Sequence, residues 1–408
     1  MTQTFTENPL AADHYERTGW PSKRGSREEF VAKFGEERAQ RFEQAFWAMD
    51  PVADALYTSG NKSKDVMPNL REALARGEAD ENTLPEVAAL VEDMNKALEG
   101  VDWERLERGQ KAALAIPVLA QNLSLGPGAL IHTYSAPSIA DILVNTGELT
   151  EGAVHRLAYT TNWIYSVYLK DGLKPGHVSY IHTGMVRAMH AHVRRVQTKL
   201  GLDYSEWGAP ISEFDMFRTW FDFTYIAFTY LRNLGYRMTL EEEQDLFYLW
   251  KIVGLMLGIP GDILEPETDI DASQETIDAI HFVDGEPNEN SFALVDALFS
   301  GFRTNVKALL PFPDESIDDW MYAATRLMHG DEVADVYNVP HAASRPFTEL
   351  ALPQVQERFD LLRANPEALA KEVEQNHQTL LDALTQETSY MGQDEGIKMN
   401  DGQYRPGA

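Results

Sequence analysis

Residues 178–201 read VSYIHTGMVRAMHAHVRRVQTKLG, and their apolar residues recur with the spacing of an amphipathic helix. Two histidines, His190 and His192, lie in the middle of this stretch. Residues two positions apart on a helix point about 200° apart, so at most one of these histidines faces the interior. His190 has Val186 four residues before it and Val193 three residues after it, which is the more apolar stripe. We therefore predict that His190 faces the interior. His192 lies either at the surface or next to the residues of a site without being one of them.

An inward histidine on such a stripe has two interpretations. It is either a hydrogen-bonded core residue or a metal ligand, because neutral imidazole is a common ligand of metal ions. The residues of helix 178–201 alone do not separate these two roles.

The helix predicted over residues 151–172 carries polar side chains on one face. Four of its residues align at i, i+3, i+4 and i+7: Arg156, Tyr159, Thr160 and Trp163. Polar groups on an inward face are costly unless something polar lies opposite them. Either the arginine extends past the packing to solvent, or this face forms the wall of a buried polar pocket opposite the histidine helix.

Helical periodicity extends over most of the chain. It predicts a helix over 27–50, a helix over 104–126 that is kinked at Pro117, and helices over 135–147, 213–235 and 239–259. Convincing alternating strands and Pro/Gly/Ser-rich linkers are not found. We predict an all-α fold with an N-terminal extension (1–25), one large helical domain (26–390) and a polar tail that frays (391–408).

Composition excludes several classes of partner and site. The 408 residues carry a formal net charge of −29, which repels phosphate backbones and anionic lipids, so we expect no nucleic-acid or membrane-surface partner. The absence of cysteine excludes disulfides, iron–sulfur clusters and thiolate ligands. No apolar run reaches the roughly 20 residues of a membrane span, and no basic region precedes an apolar signal segment. We expect a cytoplasmic protein.

The common metal and nucleotide motifs are absent from the sequence, including HExxH, the P-loop and GxGxxG. One ExxH pair occurs, at Glu374 and His377. A di-iron site of the ferritin type needs two such pairs and two further inward carboxylates, so we assign this pair to a solvated helix face.

Many helices, one inward histidine, and stripes of methionine and aromatic residues without a thiol together favour haem as the cofactor of such a pocket. A proximal histidine would ligate the iron, and the polar groups of the opposite wall would handle O₂.

Residues 134–196 also resemble a known family. The segments YSAPSIADILVNTGEL (134–149), HRLAYTTNWIYSVY (155–168) and GHVSYIHTGMVRAMHAHVRRV (176–196) are similar to the core of the rubber oxygenase (latex clearing protein) and MpaB-type oxygenase family. Two later segments agree with it, WGAPISEFDMFRTWFDFTYIAF (207–228) and YLWKIVGLMLGI (248–259). The resemblance spans about 130 residues in continuous order, roughly 130–260.

The resemblance implies an all-α fold, globin-like in its helical core, that encloses one non-covalent haem b. It implies that His190 is the proximal iron ligand and that Arg156 and Thr160 are the distal arginine and threonine. Tyr159 stands where rubber-cleaving members carry a lysine that can cap the iron, so Tyr159 would either donate a hydrogen bond to O₂ or cap the iron as phenolate. Those members also carry an acidic residue, proposed as a base, where this chain has Ala140 followed by Asp141.

These departures, and the missing export signal, argue against rubber cleavage itself. We predict a haem b-dependent oxygenase, a dioxygenase more readily than a monooxygenase, that uses O₂ on an apolar or isoprenoid-like small molecule. Two alternatives stay open: a haem-binding sensor or O₂ carrier without turnover, and a helical lipid-binding protein without cofactor. The sequence leaves the substrate and the oligomeric state undetermined.

Overall fold

The chain is almost entirely helical in the computed structural model, which describes residue 10 and residues 19–57, 63–145, 151–200, 204–309, 313–386, 398–400 and 403–405. The predicted all-α fold is therefore confirmed. The helices of the N-terminal half are α1 (Arg27–Phe34), α2 (Glu36–Ala45), α3 (Pro51–Asp54), α4 (Ser63–Arg76), α5 (Pro85–Lys96), α6 (Trp103–Leu114), α7 (Val118–Leu123), α8 (Ile131–Ser135), α9 (Pro137–Asn145), α10 (Glu151–Tyr168) and α11 (Val178–Leu200).

The C-terminal half continues in the same way and ends in the only two strands among the described residues. Its helices are α12 (Glu213–Phe221), α13 (Ala227–Asn233), α14 (Leu240–Met256), α15 (Gly261–Leu264), α16 (Ile270–Asp284), α17 (Glu289–Leu309), α18 (Asp314–His329), α19 (Asp331–Val336), α20 (Arg345–Arg363) and α21 (Pro366–Gln386). The strands β1 (Lys398–Asn400) and β2 (Gln403–Arg405) pair antiparallel, so the predicted polar tail contains a short hairpin.

Helix α14 begins at a capping box. Thr239 caps α14 and accepts a hydrogen bond from the Glu242 backbone N–H, and the Glu242 side chain accepts one from the Thr239 N–H in return. The single helix predicted over 27–50 is wrong, because it is broken at Gly35, which has a φ of 90°. A left-handed φ is open to glycine and ends a helix, so the chain turns between α1 and α2.

Two helices contain π-helical segments that apolar periodicity did not predict. The first segment, Ser124–Leu130, follows α7, and the second, Asp222–Ile226, lies between α12 and α13. The two segments pack against each other. π-Helical turns are rare and occur frequently at functional sites.

The core is one continuous cluster in which α11 is central. This helix packs against α3, α4, α5, α10 and α14. Residues 19–25, part of the predicted N-terminal extension, pack on the same core: the Arg24 guanidinium is buried between the rings of Phe46 and Phe214 and donates to Asp215 at 3.0 Å. Residues 1–9, 11–18 and most of the tail lie outside the described residues.

Among the described residues, no single helix is long and apolar enough to cross a membrane. One bent pair, residues 103–114 with residues 118–135, meets the length and composition requirement together, but its two parts meet at an angle of 92°.

Candidate functional site

Two buried arginines of α11 anchor this helix to the N-terminal part of the chain. Arg187 donates through Nε to Asp50 at 2.7 Å and through Nη1 to Asp93 at 2.7 Å. Two helical turns further on, Arg194 donates through Nε to Asp54 at 2.7 Å. Because an unpaired buried charge is costly, these pairs fix the position of the α11 segment that lies between the two arginines.

Gly258 makes room for one of these ion pairs. Its φ is +86°, and a Cβ atom built on it would lie 2.8 Å from both Nη2 of Arg187 and Oδ2 of Asp50. Only glycine therefore allows the backbone after α14 to approach the Arg187–Asp50 pair this closely.

His190 lies between the two arginines. Burial, and to a lesser extent the charge of Arg194, lowers the pKa of His190 to about 4, so its imidazole is neutral near pH 7. Within the part of the chain that the structure describes, the Nδ1 atom of His190 is buried and has no hydrogen-bond partner. A buried polar atom without a partner is unusual in a folded protein and indicates a group that is not yet accounted for.

His192 points the other way, as the helical geometry predicted. It is exposed, and its ring stands edge-on to Tyr57 with the centroids 5.2 Å apart. The prediction that only one of the two histidines faces inward is confirmed.

A cavity of about 700 Å³ opens beside His190. Its lining is mixed. Charged side chains line it, including Arg187, Arg194, Asp50, Asp93, Lys96, Glu99, Glu213 and Lys251, together with apolar ones such as Val52, Val101, Met216, Ile252 and Leu255. A volume of this size lies within the range of cofactor and small-molecule sites.

The neighbouring face of α11 is a partly exposed apolar stripe. Val186, Met189, Val193 and Val196 continue along it at helical spacing, and the exposed fractions of Met189 and Val196 are 42% and 39%. A contiguous exposed apolar patch can mark a binding surface, and these two side chains lie on one stripe.

Helix α10 packs against α11 and carries the other predicted site residues. Trp163 joins the two helices, because its Nε1 donates to the Thr183 hydroxyl at 3.0 Å. Tyr159 is half-buried against the core, and burial raises the pKa of its phenol, so it is protonated near pH 7. Thr160 is half-buried one residue on. The side chain of Arg156 lies outside the described residues, although its backbone is part of α10.

The structure brings these residues together only in part. His190 lines the cavity, whereas Tyr159 and Thr160 are not among the described residues that line it. The two helices adjoin each other.

The acidic residue beside Ala140 is engaged elsewhere. Ala140 is fully buried, and Asp141 Oδ1 accepts hydrogen bonds from the Nδ2 atoms of Asn288 and Asn290, both at 2.8 Å. Asp141 thereby ties α9 to the start of α17. The Glu374–His377 pair lies on α21 with Glu374 exposed, and no group of three metal-binding side chains occurs among the described residues.

The carboxylates that hold α11 were not found from the sequence. Asp50 and Asp54 lie more than 130 residues before the arginines they pair with, so their partnership depends on the tertiary fold. The sequence did contain one indication of such carboxylates. Arg187 and Arg194 lie on the same face of α11 as His190, and buried arginines need carboxylate partners.

Comparisons with known proteins bear on the fold and the family. The latex clearing protein LCP in its closed state has a similar fold, with a TM-score of 0.62 and 19% sequence identity over 90% of this chain and 96% of that chain. No curated protein matches the sequence. Residues 118–357 match the family described as ER-bound oxygenase mpaB/B′/rubber oxygenase, catalytic domain, which is more than half of the chain. This protein therefore belongs to the mpaB/rubber oxygenase family.

Proposed function

We propose that this oxygenase depends on haem b and acts on a small apolar molecule with O₂. The observation that carries the proposal is His190: a neutral imidazole on a fixed helix, with an unpartnered Nδ1, between a cavity and an open apolar stripe. A neutral imidazole is the form that binds iron, and the apolar stripe suits the face of a porphyrin.

The residues present fit haem in their chemistry. His190 would hold the iron, and Val186, Met189 and Val196 would lie against the porphyrin. When bound, haem supplies the redox chemistry that activates O₂. The proposal takes Arg156 and Thr160 as the groups that orient O₂ by hydrogen bonding.

Tyr159 replaces the lysine of rubber-cleaving members in this proposal. Its protonated phenol favours the role of a hydrogen-bond donor over that of a phenolate ligand. We propose oxidative cleavage of a carbon–carbon double bond as the reaction.

The absorption spectrum tests the cofactor. We expect protein produced with sufficient haem to show a Soret band that His190→Ala abolishes. The matched control is His192→Ala, which changes an exposed histidine two residues away on the same helix and should retain the band. A haem-free preparation that gains no Soret band with added hemin contradicts the proposal.

The reaction is tested separately with the haem-loaded protein. We expect O₂ consumption and new carbonyl products from unsaturated terpenoids, and a loss of both in Thr160→Val. A Soret band without turnover on any unsaturated substrate favours the second candidate, a haem-based sensor or O₂ carrier. Asp141 supports that candidate, since this carboxylate is occupied by two asparagine amides.

A further inference from the structure

A second cluster of ionisable groups lies at the start of the second π-helical segment. It consists of His132 on α8, Arg218 on α12, Asp222 at the start of the second π-helical segment, and His281 and Asp284 on α16. None of these residues lines the cavity beside His190. The function proposed above makes no use of them.

The carboxylate of Asp222 is the buried end of this cluster. Its Oδ2 accepts from the Thr133 hydroxyl at 2.7 Å and from Nη1 of Arg218 at 2.8 Å, and its Oδ1 lies 2.5 Å from Nδ1 of His132. Asp222 has no exposed surface. A proton can therefore reach it only through one of these partners.

The other ring nitrogen of His132 meets a second histidine. Its Nε2 lies 2.6 Å from Nε2 of His281, while the ring centroids are 4.8 Å apart. Since the centroids are much further apart than the two nitrogens, the nitrogens point at each other. At this distance one nitrogen must carry a hydrogen and the other must accept it.

The chain of contacts ends at solvent, because His281 is exposed on α16. From the surface inward the order is His281, His132 and Asp222. Each contact in this order joins a ring nitrogen to another nitrogen or to a carboxylate oxygen. Every link can pass a proton.

We propose that His281, His132 and Asp222 form a proton relay that carries one proton between solvent and the buried Asp222 carboxylate. With Asp222 ionised, the His132 Nδ1–H donates to Asp222 and the His281 Nε2–H donates to Nε2 of His132. A proton taken up at Nδ1 of His281 passes the Nε2 proton to His132, and His132 passes its Nδ1 proton to Asp222. Both hydrogen bonds persist with reversed direction, and both histidines exchange tautomers.

The surrounding charges favour uptake of one proton. Arg218 faces two carboxylates, Asp222 and Asp284, so this buried group carries a net charge of −1 when both are ionised. One added proton makes it neutral, which burial favours. Burial raises the pKa of Asp222 to about 6 and, with the help of Arg218, lowers the pKa of His132, so the proton resides on the carboxylate.

The remaining ionisable groups around the relay do not replace it. Asp278 and Asp284 lie on the same helix, α16. Each raises the pKa of His281 through its negative charge alone. His329 on α18 faces His132, but its Nε2 donates to the Pro127 carbonyl at 2.9 Å and its Nδ1 accepts from the Tyr230 hydroxyl at 2.9 Å. His329 is thus held in one neutral tautomer.

The relay ends next to the layer that supports α10. Phe223, the residue after Asp222, packs edge-on against Trp163 with the ring centroids 5.7 Å apart. Trp163 in turn joins α10 to α11 through Thr183. The charge of Asp222 therefore changes close to the candidate site, because only the contact between Phe223 and Trp163 separates Asp222 from α10.

Nuclear magnetic resonance of ¹⁵N-histidine-labelled protein tests the relay directly. We expect His132 to change from the Nδ1–H to the Nε2–H tautomer on acidification, and His281 to change in the opposite sense, with one shared midpoint near pH 6. Signals are assigned by their loss in single-histidine variants. Separate midpoints, or protonation of either ring without a tautomer change, overturn the proposal.

A surface variant provides the second test. His281→Phe keeps an aromatic ring but removes the outer link, so the His132 midpoint should move by at least about one pH unit. The control is His341→Phe, at an exposed histidine outside the cluster, which should leave the midpoint unchanged. An unmoved His132 midpoint in folded His281→Phe, as judged by circular dichroism, also overturns the relay.

Discussion

At the level of single residues, the site is held by charges buried in pairs. Arg187 and Arg194 flank His190, and each is held by a carboxylate from the segment at residues 50–54. The two ion pairs restrain the rotation of α11 about its axis, so that His190 faces the cavity. Removing one partner of such a pair leaves the other charge buried, at a cost of about 3–5 kcal/mol.

Gly258 gives the first residue-scale prediction. Gly258→Ala places a Cβ against the Arg187–Asp50 pair at a left-handed φ, so the free energy of unfolding should fall by more than about 1 kcal/mol and haem retention should weaken. Urea unfolding and the Soret absorbance measure the two effects. Gly261→Ala is the matched control, since its Cβ meets only Leu255 at 3.5 Å. Equal behaviour of the two variants would contradict this account.

Asp141 gives a second residue-scale prediction. Because its carboxylate holds two asparagine amides at the start of α17, Asp141→Ala should lower the free energy of unfolding by about 1–3 kcal/mol. The Soret band should remain, since Asp141 does not line the cavity. Asp296→Ala is the control, because Asp296 is an exposed residue on α17, the helix that Asp141 holds. If turnover is lost while the free energy of unfolding is unchanged, Asp141 acts as a catalytic base and does not join α9 to α17.

At the level of helices, capping residues near in sequence determine where a helix begins. Contacts with distant parts of the chain determine where a π-helical segment interrupts it. The cap at Thr239 follows from short-range chemistry that any window of sequence contains. The π-helical segment at Asp222–Ile226 does not, because the residues of 213–235 have the apolar spacing of an uninterrupted helix. Its geometry accommodates Asp222 among Thr133, His132 and Arg218, which are contacts from other elements or other turns.

The same distinction applies to the candidate site. His190 could be predicted because helical geometry and the neighbouring valines lie within a few residues of it. The carboxylates Asp50 and Asp54 could not, since nothing local to them indicates a partner on α11. The relay residues His132 and His281 are 149 positions apart, and neither stands in a motif of its own.

The cap of α14 gives a prediction at this scale. Helix α14 supplies Tyr248, Lys251, Ile252 and Leu255 to the cavity wall. Thr239→Ala removes the hydroxyl that accepts from the Glu242 N–H, so the free energy of unfolding should fall by about 1 kcal/mol. Thr304→Ala on α17 is the control, because that exposed hydroxyl bonds only a carbonyl within its own helix. A change of equal size in both variants would show that the cap is not the cause.

At the level of the whole molecule, buried neutral histidines make the fold sensitive to acid. Burial lowers the pKa of His182 and of His329 to about 4, below the ordinary value of 6.5. In the unfolded chain both rings take up protons more readily than in the folded chain. Their contribution to stability is therefore complete above pH 6.5 and is lost as the pH falls through about 4.

Asp222 acts in the opposite sense. Its pKa is raised to about 6 in the fold, so its contribution is complete below pH 3.8 and is lost as the pH rises through about 6. The stability that Asp222 gains at low pH only partly offsets the stability that the two histidines lose there. Carboxylates with a lowered pKa, such as Asp50 beside Arg187, add to the loss at the acid end.

We therefore expect the free energy of unfolding to fall between pH 6.5 and pH 4. His182 alone contributes roughly 3 kcal/mol, because its pKa is about 4 in the fold and 6.5 in the unfolded chain. Urea unfolding curves across this range measure the loss. His182→Gln replaces the titrating ring with a group that stays neutral, so its curve should be flatter, while His341→Gln at the surface should follow the unmodified protein. A stability that is constant over this range would mean that the two rings gain protons without unfolding, which requires water or a carboxylate to reach them inside the fold.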